Sequence, residues 1–234
     1  MLLTAISDTH GQQEIVEIPK SDILCICGDI VPLKMQRNIP ESFSWFRKRF
    51  IKWCKEQPVE QIYLVGGNHD FFLENDPKRV HELLLGTNIN YLYNSGAEYL
   101  DSDGILWTIW GSPLCHIFGN WAFMPSEEEQ SETLELIPKN LDILLTHDAP
   151  YGRNDQCFES YYPYDHIGSY PLLGAVQEKK PKYHFTGHLH TSNHNIIDYD
   201  GTKTACVSIL NEDYEAVFKP LTLELHKNLE DSDV

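Results

Sequence analysis

The sequence predicts a mixed α/β domain, and the order of its elements suits two packed sheets flanked by helices. Short runs rich in Ile, Leu, Val and Tyr, bounded by Gly, Asp and Asn, alternate with segments of helical period through the first half. After residue 182 strand-like runs dominate. No Pro-, Gly- or Ser-rich linker and no internal repeat divides the 234 residues, so they are read as one domain, 1–234, with an acidic tail at 224–234 that ends in Glu230, Asp231 and Asp233. A chain of this length should bury roughly 70 to 75% of the surface its unfolded form exposes, enough for a core without cross-links.

Taken in order, strands are expected at about 2–6, 22–27, 61–65, 105–110, 141–146, 182–186, 194–199 and 203–209, with 214–225 extended in pieces. Residues 41–57 predict a helix, because Phe43, Phe46, Phe50 and Trp53 or Cys54 recur at helical spacing with Arg47, Lys48, Lys52 and Lys55 on the other side. Pro58 ends it. A second helix, 77–85, starts at Pro77 behind Asp76, a natural N-cap. Residues 127–137 and 172–180 complete the helical set.

Composition excludes some functions. Eighteen Lys and Arg against 35 Asp and Glu give a formal charge of −17, whereas long nucleic acids are gripped through phosphate neutralisation by basic side chains. A small phosphoester is not excluded, since bound divalent cations invert the local field. Six cysteines, at 25, 27, 54, 115, 157 and 206, include no C-x-x-C, and Cys25 and Cys27 flank Ile26 in a strand where they are not expected to pair. With a strand opening the sequence and no leader-like segment, a cytoplasmic protein with reduced thiols is expected. No apolar run approaches the ~20 residues needed to cross a bilayer.

Five clusters of metal-seeking side chains each fall where a strand gives way to a loop. Asp8 and His10 follow 2–6; Asp29 follows 23–27 through Gly28; Asn68 and His69 follow 62–65 through Gly66 and Gly67; His147 follows 141–146; His188 and His190 follow 183–186 through Gly187. Ligands gather at the carboxyl ends of strands in such sheets. Side chains two apart in an extended segment point the same way, so each of the pairs Asp8/His10 and His188/His190 can face one cleft. A single D-x-H is usually a turn, but five clusters in this order imply a preassembled cation site.

The order D-x-H, G-D, G-N-H-D, a lone His after a strand, then G-H-x-H resembles the calcineurin-like metallophosphoesterases, and the likeness runs from Asp8 to His190. Within that family, Gly111-Ser112-Pro113, Asn120-Trp121-Ala122-Phe123 and the stretch from Asp142 to Pro150 resemble the small single-domain subgroup related to class III cyclic-nucleotide phosphodiesterases. The resemblance implies a four-layer α-β-β-α sandwich of two mixed sheets flanked by helices. It also implies two divalent transition metals. Asp8, His10 and His190 would hold the first, Asn68, His147 and His188 the second, and Asp29 would bridge them. Carboxylate, amide and imidazole donors without thiolate suit Mn foremost, or Fe or Zn, rather than Ca or a structural Zn site. His69 would serve the leaving oxygen as an acid or charge stabiliser, oriented by Asp70.

Two metals about 3.5 to 4 Å apart can activate water and clamp the attacking and leaving oxygens of a phosphoester, so a metal-bridging hydroxide is the nucleophile expected. The expected activity is hydrolysis of a small phosphodiester or phosphomonoester, with a cyclic nucleotide among the candidates. A scaffold or binding module of the same fold is the alternative, although no ligand position has been lost. A nuclease would need the basic stripe that this chain lacks. Two aromatic-rich loops, 113–125 and 151–170, are placed either to bind substrate or to pack over the core. From them His116 and Asn120 are candidate substrate contacts, and Arg153 is the candidate phosphate clamp because its fork matches phosphate oxygens. The aromatic and acidic members Phe118, Trp121, Asp155, Tyr161, Tyr162, Tyr164 and His166 share these loops.

Overall fold

A computed structural model describes residues 1–157, 165–191 and 194–227. The first sheet has the order β13-β1-β2-β3-β4. Its strands are β1 (Leu2–Ile6), β2 (Ser21–Cys27), β3 (Val59–Val65), β4 (Ile89–Tyr91) and β13 (Leu221–Glu224). All neighbours are parallel except β13, which runs antiparallel along β1 and pairs Glu224 with Leu2. The second sheet has the order β11-β12-β10-β7-β6-β5. It comprises β5 (Ser95–Leu100), β6 (Leu106–Ser112), β7 (Ile143–Thr146), β10 (Tyr183–Thr186), β11 (Ile197–Tyr199) and β12 (Thr202–Cys206), with β5 and β11 as antiparallel edges. A two-stranded ribbon of β8 (Gln156–Cys157) and β9 (Asp165–His166) stands apart.

Alternation along β2 shows how the layers form. Ile23, Cys25 and Cys27 enter a core that also holds Trp107, Ile109, Ile143, Leu145 and Phe185 from the second sheet. Leu24 and Ile26 face the other way, against Phe46, Phe50 and Trp53 of the helical layer. That layer consists of α1 (Ile39–Trp45), continued by a π-type turn at Phe46–Phe50 into α2 (Ile51–Lys55), with α3 (Phe71–Asn75) and α4 (Pro77–Leu84). On the far side α5 (Glu127–Leu134) and α6 (Tyr170–Lys179) cover Leu144 through Leu134, Leu172 and Val176. The result is the α-β-β-α arrangement of two mixed sheets flanked by helices. All six cysteines are buried and none forms a disulfide among the described residues, and Cys25 and Cys27 both lie on the inter-sheet face.

Local chemistry explains the helix starts. Asp76 accepts from Arg79 N at 3.0 Å, ahead of Pro77, and Ser126 forms a reciprocal capping box with Glu129. The expected tail starts too early: Glu224 belongs to β13, and Leu225 is buried with its N–H donating to the Met1 carbonyl. Glu230, Asp231 and Asp233 lie outside the described residues, as do Tyr161, Tyr162 and Tyr164. No helix among the described residues is long and apolar enough to cross a membrane.

Candidate functional site

The carboxyl ends of β1, β2 and β3 in one sheet and of β7 and β10 in the other open into a single cleft of about 860 Å³. Asp8 and His10 follow β1, Asp29 follows β2, Asn68 and His69 follow β3, His147 follows β7, and His188 and His190 follow β10. The turns that aim them are strained. Asp8, His10, Asp29 and His188 all carry left-handed φ values, 55°, 42°, 52° and 68°. Such conformations persist in non-glycine residues where surrounding structure enforces them, and they concentrate at functional sites. Packing leaves no spare room. A Cβ on Gly67 would overlap Asp29 Oδ1 and come within 2.7 Å of the His147 ring, and one on Gly187 would meet Ser7 Oγ and Asp8 Oδ2.

Asp29 lies at the middle. Its Oδ2 is 3.3 Å from His147 Nε2, 3.7 Å from His10 Nε2 and 3.8 Å from His69 Nε2, while Oδ1 accepts from His69 N at 2.8 Å. His147 donates Nδ1 to the Cys27 carbonyl at 2.7 Å, which leaves Nε2 facing Asn68 Oδ1 at 3.0 Å and Asp29. In the same way His190 donates Nδ1 to the Asn211 carbonyl at 2.8 Å, leaving Nε2 at 3.5 Å from Asp8 Oδ1. Asp8 accepts from Ser208 Oγ and from His188 N. An imidazole fixed through one nitrogen and open at the other is the usual form of a metal-ligating histidine.

Three sets of potential ligand atoms lie within 4.8 Å of one another: Asp8, His10 and His190; His10, Asp29 and His69; Asp8, Asp29 and His147. His188 stands beside them, its ring 5.2 Å from that of His147. Both ring nitrogens of His10 are buried without a hydrogen-bond partner among the described residues. Protein alone leaves such atoms costly, and a cation would satisfy one of them.

Ionisation agrees with this donor set. Burial pushes His10 down to about 4 against the pull of Asp29 and Asp8, and it likewise pushes His188 to about 4, so both rings offer free lone pairs. Burial works against ionisation of Asp8 and Asp29, but His190 and His147 outweigh it for Asp8, and His147, His69 and His10 do so for Asp29. Burial also opposes a proton on His147, yet Asp29 and Asp8 raise that ring to about 10. A cation would take that proton's place, as metals do when they bind histidine. The residues therefore fit divalent cations.

Other expected residues divide. His69 lines the cleft with Nδ1 against Gln36 Oε1 and its ring 4.6 Å from Trp121. Asp70 does not orient it. That carboxylate is fully buried and accepts instead from the N–H groups of Ile30, Val31 and Gly67, 3.0 to 3.1 Å away, so it shapes the turns that carry Asp29 and Asn68. Burial and the charge of Asp29 push its pKa up to about 7. His116 faces the cleft, its N and Nδ1 both donating at 2.8 Å to the buried Asp148. Arg153 is elsewhere: it is 4% exposed, spans Tyr199 at 5.2 Å, pairs with Asp200 at 3.4 Å and lines a separate cavity with Lys180 and Thr202. As a phosphate clamp it is out of place. Asn120 is likewise outside the cleft lining, and its carbonyl accepts from Arg37 at 2.6 Å.

A model of the calcineurin-like phosphoesterases matches residues 1–192. The chain belongs to that family. Calcineurin-like phosphoesterases typically bind divalent metals. The human metallophosphoesterase domain-containing protein 1 is 27% identical over 248 residues, covering 94% of this chain and 69% of the relative. A Caenorhabditis elegans UPF0046 protein is 30% identical over 248 residues, covering 94% of this chain and 59% of the relative. Among solved structures, the phosphopantetheinyl hydrolase of Mycobacterium tuberculosis superposes with a TM-score of 0.62 at 15% identity, over 91% of this chain and 90% of that one, a likeness of fold.

Sequence reasoning missed Gln36 and Tyr214. Gln36 gives no local signal. Tyr214 lines the cleft against the rings of His10 and His190, and its only sequence hint is Asn211 three residues earlier, a residue type that builds such turns.

Proposed function

We propose that this chain hydrolyses a small phosphoester with two divalent transition cations, Mn foremost or else Fe or Zn. Asp8, His10 and His190 would hold one, Asn68, His147 and His188 the other, and Asp29 would serve both. The observation that carries this reading is the convergence of three imidazole Nε2 atoms, from His10, His69 and His147, to within 3.8 Å of one oxygen of Asp29. A cation pair bound there would polarise the phosphoryl group and activate water.

The chain's own residues do the rest. Asp8 and Asp29, held ionised by their histidines, supply negative charge to the cation sites. His69, whose Nδ1 donates to Gln36 Oε1, presents Nε2 to the cleft and, when both ring nitrogens are protonated, can hand a proton to the leaving oxygen, help worth roughly 10² to 10⁴-fold in rate. His116, fixed by Asp148, offers its remaining ring edge to a substrate oxygen. The exposed Phe118 and the stacked Tyr151 and Tyr170 give flat apolar walls at the mouth, which suit a substrate with a ring, a cyclic nucleotide among them.

The test is a turnover profile over p-nitrophenyl phosphate, bis-p-nitrophenyl phosphate and a panel of cyclic nucleotides, each with Mn, Fe, Zn and Mg. Hydrolysis dependent on added metal and abolished in Asp29→Ala is expected. No turnover of any ester by protein shown to carry two metals per chain would leave a binding module as the better account.

A further inference from the structure

Tyr214 is a bulky residue in a conformation that bulky residues avoid. Its φ is 58°, in the left-handed region where a side chain crowds its own backbone. The strain is held by a turn built on Asn211. The Asn211 side chain accepts from the N–H groups of Asp213 and Glu215 at 3.1 and 2.8 Å, Asn211 N donates to the Glu215 carbonyl at 2.9 Å, and Gln12 Nε2 pins the Tyr214 carbonyl at 2.9 Å. The carbonyl of Asn211 has two donors, Tyr214 N at 2.9 Å and His190 Nδ1 at 2.8 Å. One oxygen thus ties the strained turn to a candidate ligand.

The strain places the phenol ring. It meets the rings of His10 and His190 edge-on, with centroids 5.1 and 5.3 Å away and interplanar angles of 76° for both. Those two histidines share their cation set with Asp8. At their far side His10 has no hydrogen bond among the described residues to orient it, so ring packing is what fixes its tilt. Tyr214 packs T-shaped against both rings, and His69 packs the same way against His10 at 4.9 Å.

We propose that Tyr214 is a positioning residue for the first cation site. It locks His10 and His190 in the orientation that binds, and the strained turn is maintained for that purpose. The inference rests on the two-cation reading above. It predicts that the two sites differ, the Asp8/His10/His190 site depending on Tyr214 and the Asn68/His147/His188 site not.

Tyr214→Asn and Tyr214→Phe separate this role from a structural one, because asparagine tolerates the left-handed conformation without a ring. Manganese binding by metal-free protein would be followed by calorimetry and elemental analysis, beside the melting temperature of the metal-free form. Tyr214→Asn should lose one of two bound ions, with affinity at that site reduced 10- to 100-fold, the usual effect of removing a group that orients a ligand, while its metal-free melting temperature equals or exceeds the native one. Tyr214→Phe should bind both ions as the native protein does. Two ions bound by Tyr214→Asn with native affinity would overturn the inference alone, and so would a fall in its metal-free melting temperature, which would make Tyr214 a packing residue. Failure of the native protein to bind two ions would overturn the two-cation reading and this inference together.

Discussion

Asp70 offers a prediction that the hydrogen-bond geometry sets quantitatively. Its Oδ1 accepts from Ile30 N and Val31 N at 3.1 and 3.0 Å, and its Oδ2 accepts from Gly67 N at 3.0 Å. Asp70→Asn removes the charge but keeps an oxygen where Oδ1 stood, so only the Gly67 donor is stranded. Asp70→Ala removes the same charge and strands all three. Comparing the two variants therefore cancels the carboxylate's own burial cost and leaves two orphaned donors. At about 1–3 kcal/mol for each buried N–H left without an acceptor, with water able to enter part of the vacated space, the alanine variant should be less stable by about 2–4 kcal/mol. Urea unfolding of the metal-free proteins at a fixed pH measures the difference directly. Equal midpoints and slopes for the two variants would refute the reasoning, because the donors would then have no need of Asp70. Since Ile30 and Val31 follow Asp29, and Gly67 precedes Asn68, metal affinity should fall in the order native, asparagine, alanine.

His69→Ala should retain both metals by elemental analysis while kcat drops roughly 10² to 10⁴-fold; loss of metal would make the residue a ligand. Arg153→Ala should leave kcat/KM within about twofold and lower stability by about 1–2 kcal/mol through lost packing on Tyr199, to be checked by steady-state kinetics and thermal unfolding. His184 contributes to an acid transition. Burial, with Arg153 adding to it, lowers its pKa from 6.5 to about 3, so between those values the unfolded chain holds the proton that the folded one refuses. Stability then falls as pH drops from 6.5 toward 3, by up to about 1.4 kcal/mol per pH unit, and His184→Gln should flatten that slope by close to one proton in urea titrations at several pH values.

Much of the cleft was legible because each ligand stands at the end of an apolar run, and strand ends in parallel sheets converge on one edge. Asp8, Asp29, Asn68, His147 and His188 needed only that rule. What failed depended on the path of loops, about which local pattern is silent. Arg153 has the chemistry of a phosphate clamp, yet its backbone leads it under Tyr199 on another face. Asp70 sits beside His69 in sequence, but the bend after Gly67 turns its carboxylate back toward Ile30 and Val31. The edge strand β5 was not foreseen, since Ser95-Gly96-Ala97-Glu98 carries little apolar alternation and gains its conformation from pairing with β6. The start of α4 fared better, because Asp76 and Pro77 marked it chemically.

The donors come from both slabs of the sandwich: Asp8, His10, Asp29 and Asn68 ride on one, His147, His188 and His190 on the other. Among the described residues, side-chain packing, the Ser7–Ser208 backbone bridge and ties such as His147 to the Cys27 carbonyl hold the slabs in register. Ions seated across that seam would act as rivets against sliding, and a badly filled interior would in turn pull the rivet holes out of line. Trimming Trp107 or Phe185, neither of which lines the cleft, is thus a way to detune the chemistry from a distance.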